Sequence, residues 1–151
     1  MPYNMKSLSE QLKDFETSCR NSGLKITHQR VEVFRELLTA EDHPTADLLC
    51  QRLRKNLPMI SLDTVYRTLA TLVKYGLINR IETPESIARF EVPKTRHHHL
   101  ICRSCGEIKD FIWSMIDGIS LPDEVQTWGR IDIKNMVAYG VCRKCLKKNQ
   151  N

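Results

Sequence analysis

Two Cys-x-x-Cys pairs, Cys102 with Cys105 and Cys142 with Cys145, constrain this chain more than any other feature. Each pair offers two thiolates from one tight turn, and two such turns complete a closed tetrahedral set for Zn²⁺. A closed set keeps no open position, so the role it implies is structural. The 36 residues between the pairs exceed the about 15–20 of common zinc ribbons, which suits a clamp across a small sheet. A redox dithiol or disulfides are the alternatives. The first 16 residues lack an apolar signal core and carry acids, so they do not read as a secretory leader. No run approaches the about 18 apolar residues of a membrane span. The expected compartment is therefore cytoplasmic and reducing, where paired cysteines favour metal over disulfides. Cys19 and Cys50 stand alone within helical patterns and read as buried core.

Ahead of the cysteine pairs the chain reads as helices. Residues 7–22 place Leu8, Leu12, Phe15 and Cys19 at spacings of three or four, with Gly23 as a stop. Thr27 can cap a second helix through Val31, Phe34, Leu37 and Leu38, and Thr45 a third carrying Leu48, Leu49 and Leu53. Ser61 can cap a fourth, stopped by Gly76, with Leu62, Val65, Leu69, Leu72 and Val73 on one apolar stripe. Its other face offers Thr64, Arg67, Thr68 and Thr71, a short polar surface suited to a groove. Residues 77–82 and 87–92 then read as two strands joined by a turn. Helices followed by a hairpin is the order of a winged helix-turn-helix. An anonymous helical domain with a hairpin fits the same pattern.

Residues 93–96 read as a hinge, which gives a first domain of 1–92 and a second of 93–151. In the second, strands are expected at 100–102, 108–113 and 131–141, with partial helix over 115–128. The fold class is α+β: a winged helix-turn-helix domain and a small α/β domain stapled by zinc. The net charge of +5 permits nucleic-acid binding without locating it. Residues 1–92 hold 13 Lys and Arg against 12 Asp and Glu, and residues 93–151 hold 10 against 6. Local placement must identify any DNA-binding surface.

His97, His98 and His99 immediately precede the first cysteine pair. On a strand, His97 and His99 share one face and His98 takes the other. The alternating pair is a bidentate imidazole unit, and Glu91 and Asp110 are nearby acids. Mixed nitrogen and oxygen donors suit Fe²⁺, Mn²⁺, Zn²⁺, Co²⁺ or Ni²⁺. His43, at the break between helices, reads by itself as a loop or cap histidine, and the three histidines as a solvated run or a ligand set. His28 has no evident partner and no metal role.

The motifs GLKITHQR at 23–30, HPTAD at 43–47, SLDTVYRTL at 61–69, RFE at 89–91, HHHLIC at 97–102 and GVC at 140–142 resemble those of the ferric uptake regulator (Fur) family, in its order and at its separations, over nearly the whole chain. The resemblance implies a homodimeric repressor on double-stranded DNA with a near-palindromic operator, and neither an enzyme nor a small-molecule substrate. It implies structural zinc on Cys102, Cys105, Cys142 and Cys145, and a regulatory ion on His43, Glu91, His97, His99 and Asp110 that bridges the two domains. It also implies that Tyr66 and Arg67 meet bases beside Thr64, that Lys25 enters the minor groove and that Arg30 meets phosphate. Residues 132–136 lack the histidine that some iron regulators use for another metal site. Glu91, where peroxide-sensing relatives usually carry aspartate, and the Tyr-Arg-Thr triplet resemble the iron-responsive branch. Peroxide sensing, or zinc, manganese or nickel sensing, is the alternative. Outside the family, a zinc hydrolase using His97, His99 and a carboxylate, or a zinc-stapled interaction module, is the rival reading.

Overall fold

The computed structural model describes residues 6–93 and 95–149. The chain divides into two compact units, 1–93 and 94–151. Lys94, within the stretch read as a hinge, lies outside the described residues.

Four helices and a wing make the first unit. α1 (Leu8–Asn21) opens on a capping box, in which Ser7 and Glu10 satisfy each other's backbone N–H. Gly23, at φ 70°, closes it: the N–H of Leu24 bonds the Cys19 carbonyl at 2.8 Å, and that of Gly23 bonds Arg20 at 3.1 Å. Thr27, Thr45 and Ser61 cap α2 (His28–Thr39), α3 (Ala46–Leu53) and α4 (Leu62–Lys74), each side chain accepting an N–H three residues on. β1 (Asn79–Ile81) and β2 (Arg89–Glu91) pair antiparallel, with Arg80 opposite Phe90.

One apolar cluster holds this unit together. Phe15, Val33, Leu37, Leu49, Val65, Leu69 and Leu72 are buried at its centre, and Ile78 and Phe90 bring the wing onto the helices. Phe15 and Phe34 stack at 4.0 Å between centroids. A fully buried leucine contributes about 1.5–3 kcal/mol.

Two details depart from the sequence pattern. Thr68 belongs to the buried side of α4, not its polar face, because it follows Val65 by three residues and precedes Leu72 by four. The wing strands are shorter than 77–82 and 87–92. The N–H of Leu77 is engaged in capping α4 through the Leu72 carbonyl at 2.9 Å, and the Ile87 carbonyl accepts the Thr83 hydroxyl at 2.8 Å.

The second unit is a three-stranded sheet with short helices. β3 (His98–Cys102) lies centrally, antiparallel to β4 (Ile108–Phe111) and parallel to β5 (Val137–Gly140). α5 (Ser114–Gly118) and α6 (Asp123–Gln126) form the partial helix expected there, and α7 (Arg143–Lys148) follows β5. The strand expected over 131–141 is confined to 137–140, where residues face β3 from His99 to Cys102. Among the described residues, no helix is long and apolar enough to cross a membrane.

Candidate metal centres and nucleic-acid interface

The four thiols of the second unit converge. Cys102 ends β3, Cys105 sits in the turn that follows, Cys142 is the N-cap of α7 and Cys145 lies within that helix. Their sulfurs all lie within 4.8 Å of one another. Zn–S bonds of about 2.3 Å in a tetrahedron place sulfurs about 3.8 Å apart, and Cys105 and Cys142 stand at 3.8 Å. The set suits zinc. The N–H of Cys142, and then that of Cys105, point at the Cys102 sulfur and draw its pKa down to about 6. The Cys142 N–H bond measures 3.2 Å. Cys105 and Cys142 lie above the ordinary thiol value, although the N–H groups of Glu107 and Cys145 favour their thiolates, because burial and neighbouring thiols resist further charge. The turn thus prepares one thiolate for a cation and leaves other thiols as proton donors on binding.

In the first unit, His43 is buried, with its Nε2 3.0 Å from Glu91 Oε2. The intervening chain explains the pairing. Arg89 donates to the His43 carbonyl at 3.3 Å, and the N–H of Phe90 to Pro44 at 3.1 Å, so β2 is tied to the turn that carries the histidine. Asn79, opposite Glu91 in the wing, donates to its other oxygen at 3.2 Å. Two charge-assisted contacts from Arg52 to Asp42 anchor the same turn, and they hold the Asp42 carboxyl below its usual pKa. His43 is therefore an oriented side chain, not the solvated loop residue its position suggests.

In the second unit, Nε2 of His97 and Nε2 of His99 are 3.1 Å apart. Two nitrogens about 2.1 Å from one ion at right angles would stand about 3.0 Å apart. His97 directs Nδ1 to the Thr95 carbonyl at 2.6 Å, which places the proton on Nδ1 and the lone pair on Nε2, the arrangement of a metal-binding imidazole. Asp110, opposite His99 in β4, brings an oxygen 3.4 Å from His99 and 3.8 Å from His97. Two imidazoles and a carboxylate thus converge within this unit.

Sequence reasoning gave His98 no partner. It is 1% exposed, accepts the Met136 N–H on Nδ1 at 3.1 Å, and sets Nε2 3.1 Å from Asp117 of α5. Arg96 meets the same Asp117 oxygen at 3.3 Å. The Met136 bond ties the back of β3, which bears His99 and begins next to His97, to the residue before β5. The signal available was alternation, which sends His98 inward, but its partner is 19 residues away.

On α4, Tyr66 is 49% exposed, and its hydroxyl donates to Asp47 of α3 at 3.2 Å. Burial, then the Asp47 bond, holds the phenol above its ordinary pKa. Arg67 is more exposed, with Nε 2.9 Å from Asp63. Thr64 caps locally, its Oγ1 2.8 Å from that of Ser61. Lys25 is exposed, and Arg30 donates to its carbonyl, which fixes the loop before α2. Tyr66 and Arg67 line one groove with Asp47, Lys74, Arg80 and Phe90. Asp47 and Asp63 were absent from the sequence reading of this surface.

Comparison with known proteins follows this geometry. Residues 21–129 match the model of the ferric uptake regulator family. The chain is 32% identical over 148 residues to the peroxide-responsive repressor PerR of Staphylococcus saprophyticus, covering 98% of this chain and 100% of that one. Among solved structures it resembles the ferric uptake regulator Fur of Helicobacter pylori, described as having three functional metal-binding sites, at TM-score 0.77 and 27% identity over 94% of this chain and 95% of that one. It also resembles the peroxide-sensing regulator PerR of Streptococcus pyogenes, at TM-score 0.52 and 26% identity over 89% and 92%.

Proposed function

Because the chain belongs to the ferric uptake regulator family of metal-responsive, DNA-binding regulators, we propose that it is an iron-responsive cytoplasmic repressor that binds near-palindromic operators as a homodimer. Cys102, Cys105, Cys142 and Cys145 hold structural zinc in this reading. One exchangeable divalent ion draws on His43 and Glu91 from the first unit and on His97, His99 and Asp110 from the second. Residues 1–92 bind DNA and residues 93–151 dimerise.

The observation that carries the proposal is the approach of two imidazole Nε2 atoms to 3.1 Å, with the tautomer of His97 set by the Thr95 carbonyl. Such a pair holds a divalent cation far better than two protons, and its nitrogen and carboxylate donors suit Fe²⁺ among others. An imidazolium must lose its proton before that nitrogen can bind, so occupancy rises with pH.

Without the regulatory ion, the two winged units of a dimer sample many separations. An ion that prefers one arrangement shifts the population toward it, and only by its differential affinity. A hundredfold preference supplies about 2.7 kcal/mol. In that arrangement both α4 helices enter successive major grooves. Tyr66 meets thymine methyls, Arg67 reads a base edge, and Thr64 and Arg30 meet the backbone, while Lys25 reaches the minor groove. His97→Ala should lower metal-dependent operator affinity about a hundredfold while leaving zinc content and dimer mass unchanged. Gel shifts across an anaerobic Fe²⁺ titration test this, and an unchanged metal dependence rejects the site.

A second reading is favoured by two of the named relatives, the PerR proteins, which are peroxide-responsive or peroxide-sensing. In that reading iron bound beside His43 and His97 directs oxidation of a ligand histidine. Glu91 favours the iron-responsive reading, and mass spectrometry separates the two. Peroxide treatment of the Fe²⁺-loaded protein adds one oxygen to a histidine peptide and releases DNA in the peroxide sensor, and leaves the peptides unchanged in the iron sensor.

A further inference from the structure

Both side chains that α4 directs outward for DNA already have a carboxylate partner. The Tyr66 hydroxyl donates to Asp47, which belongs to the first turn of α3, at 3.2 Å. Arg67 places Nε 2.9 Å from Asp63, one turn earlier on its own helix. The Arg67 and Asp63 side chains are 80% and 70% exposed, so their pair stabilises little, and the dipole benefit of an acid in the first turn of α3 or α4 requires contact with neither Tyr66 nor Arg67. Affinity does not account for them either, since each sets a negative charge on a surface meant for a polyanion. Arg80 and Lys74 line the same groove with the opposite sign.

We propose that Asp47 and Asp63 are specificity-determining positioning residues, which preset Tyr66 and Arg67 for base reading and weaken binding to DNA of the wrong sequence. The inference rests on the reading that α4 enters the major groove. Geometry gives each acid a separate task. Asp63 engages Nε, the inner edge of the guanidinium, and leaves the two terminal nitrogens as a fork for guanine O6 and N7. Without that restraint the long side chain samples phosphates, whose contacts position the protein but specify nothing. Asp47 fixes the Tyr66 ring from the neighbouring helix, so the ring meets a thymine methyl in one orientation. The raised phenol pKa keeps the proton on the oxygen that donates. On non-specific DNA both carboxylates face phosphate without compensating base contacts, which is discrimination by repulsion.

The test uses the full-length, metal-loaded protein. A duplex is selected from a random pool by the wild type, and affinities are then measured for it, for its single-base variants and for an unrelated duplex across salt concentrations. Asp63→Asn should raise affinity for the unrelated duplex about threefold and lower the preference for guanine over adenine at the Arg67 position about tenfold. Asp63→Glu should restore much of that preference. Asp47→Ala and Tyr66→Phe should each lower discrimination at the thymine, with the double variant no worse than either. A merely structural role predicts instead that specific and unrelated binding fall together, and that result overturns the proposal, as does an additive double variant. A wild type that enriches no sequence removes the α4 reading and this proposal together. An enriched sequence whose guanine preference survives Asp63→Asn removes the proposal alone.

Discussion

The two units solve the same folding problem by different means. The first buries one continuous apolar cluster, from Phe15 of α1 to Phe90 of the wing, and every residue of that cluster lies before residue 93. The second, among its described residues, buries few apolar side chains besides Ile101 and Ile108, with Cys102 and Cys145 beside them. Ile112, Trp113, Met115, Ile119, Trp128, Ile133 and Tyr139 are exposed there instead. A segment of about 60 residues is marginal by burial alone, and more so when its large apolar side chains are exposed. Crosslinking through metal and association with a copy are the available substitutes. The described residues of the second unit thus offer a thiol cluster and exposed apolar surface where the first unit offers packing.

That contrast is sharpest at Cys142. Cys142→Ser should abolish stoichiometric zinc, dissociate the dimer and unfold the second unit, since structural zinc supplies about 10–16 kcal/mol in small zinc domains. Both tryptophans, Trp113 and Trp128, lie in this unit, so their fluorescence reports it selectively. Metal analysis with light scattering checks the rest, and a zinc-loaded dimer of unchanged stability breaks the contrast. Leu69→Ala probes the other side. It should cost the first unit about 2–5 kcal/mol, lowering the helical melting transition while tryptophan emission and zinc content persist. Loss of zinc in that variant would mean that the units do not fold separately.

A pH titration sharpens the difference further. Cys102 carries a folded pKa of about 6, below its unfolded value, so its contribution is present above the unfolded pKa and is lost as pH falls through about 6. On acidification the zinc-loaded protein should release its zinc, followed with a chromophoric chelator, and lose second-unit structure with it. The helical transition of the first unit should not follow it. The smallest effect is expected at Ser61, whose hydroxyl caps α4 through the Thr64 N–H at 3.1 Å. Ser61→Ala should lower first-unit stability by about 1 kcal/mol, measured by urea denaturation.

How much was legible follows the same division. Helical periodicity and the caps at Thr27, Thr45 and Ser61 were clear because they depend on residues three or four apart. The cysteine quartet was equally clear, because Cys-x-x-Cys is local and the pairs seek one ion. Partnerships across longer separations were not visible. Asp47 reaches Tyr66 from another helix, Asp117 meets His98 from 19 residues away, and β5 is trimmed by the length of β3. Alternation and spacing specify a side chain's direction, but the identity of what it meets depends on tertiary placement. The wing strands were overlong in sequence because capping and turn bonds at Leu77 and Ile87 compete with pairing.

One feature of the first unit has a thermodynamic corollary. His43 occupies the left-handed backbone region at φ 49°, a conformation that residues with a β-carbon adopt at some cost. A glycine there would relax the backbone but give up the buried contact of the imidazole with Glu91 at 3.0 Å, so the side chain that makes the posture costly is also one of the ties between the turn and the wing.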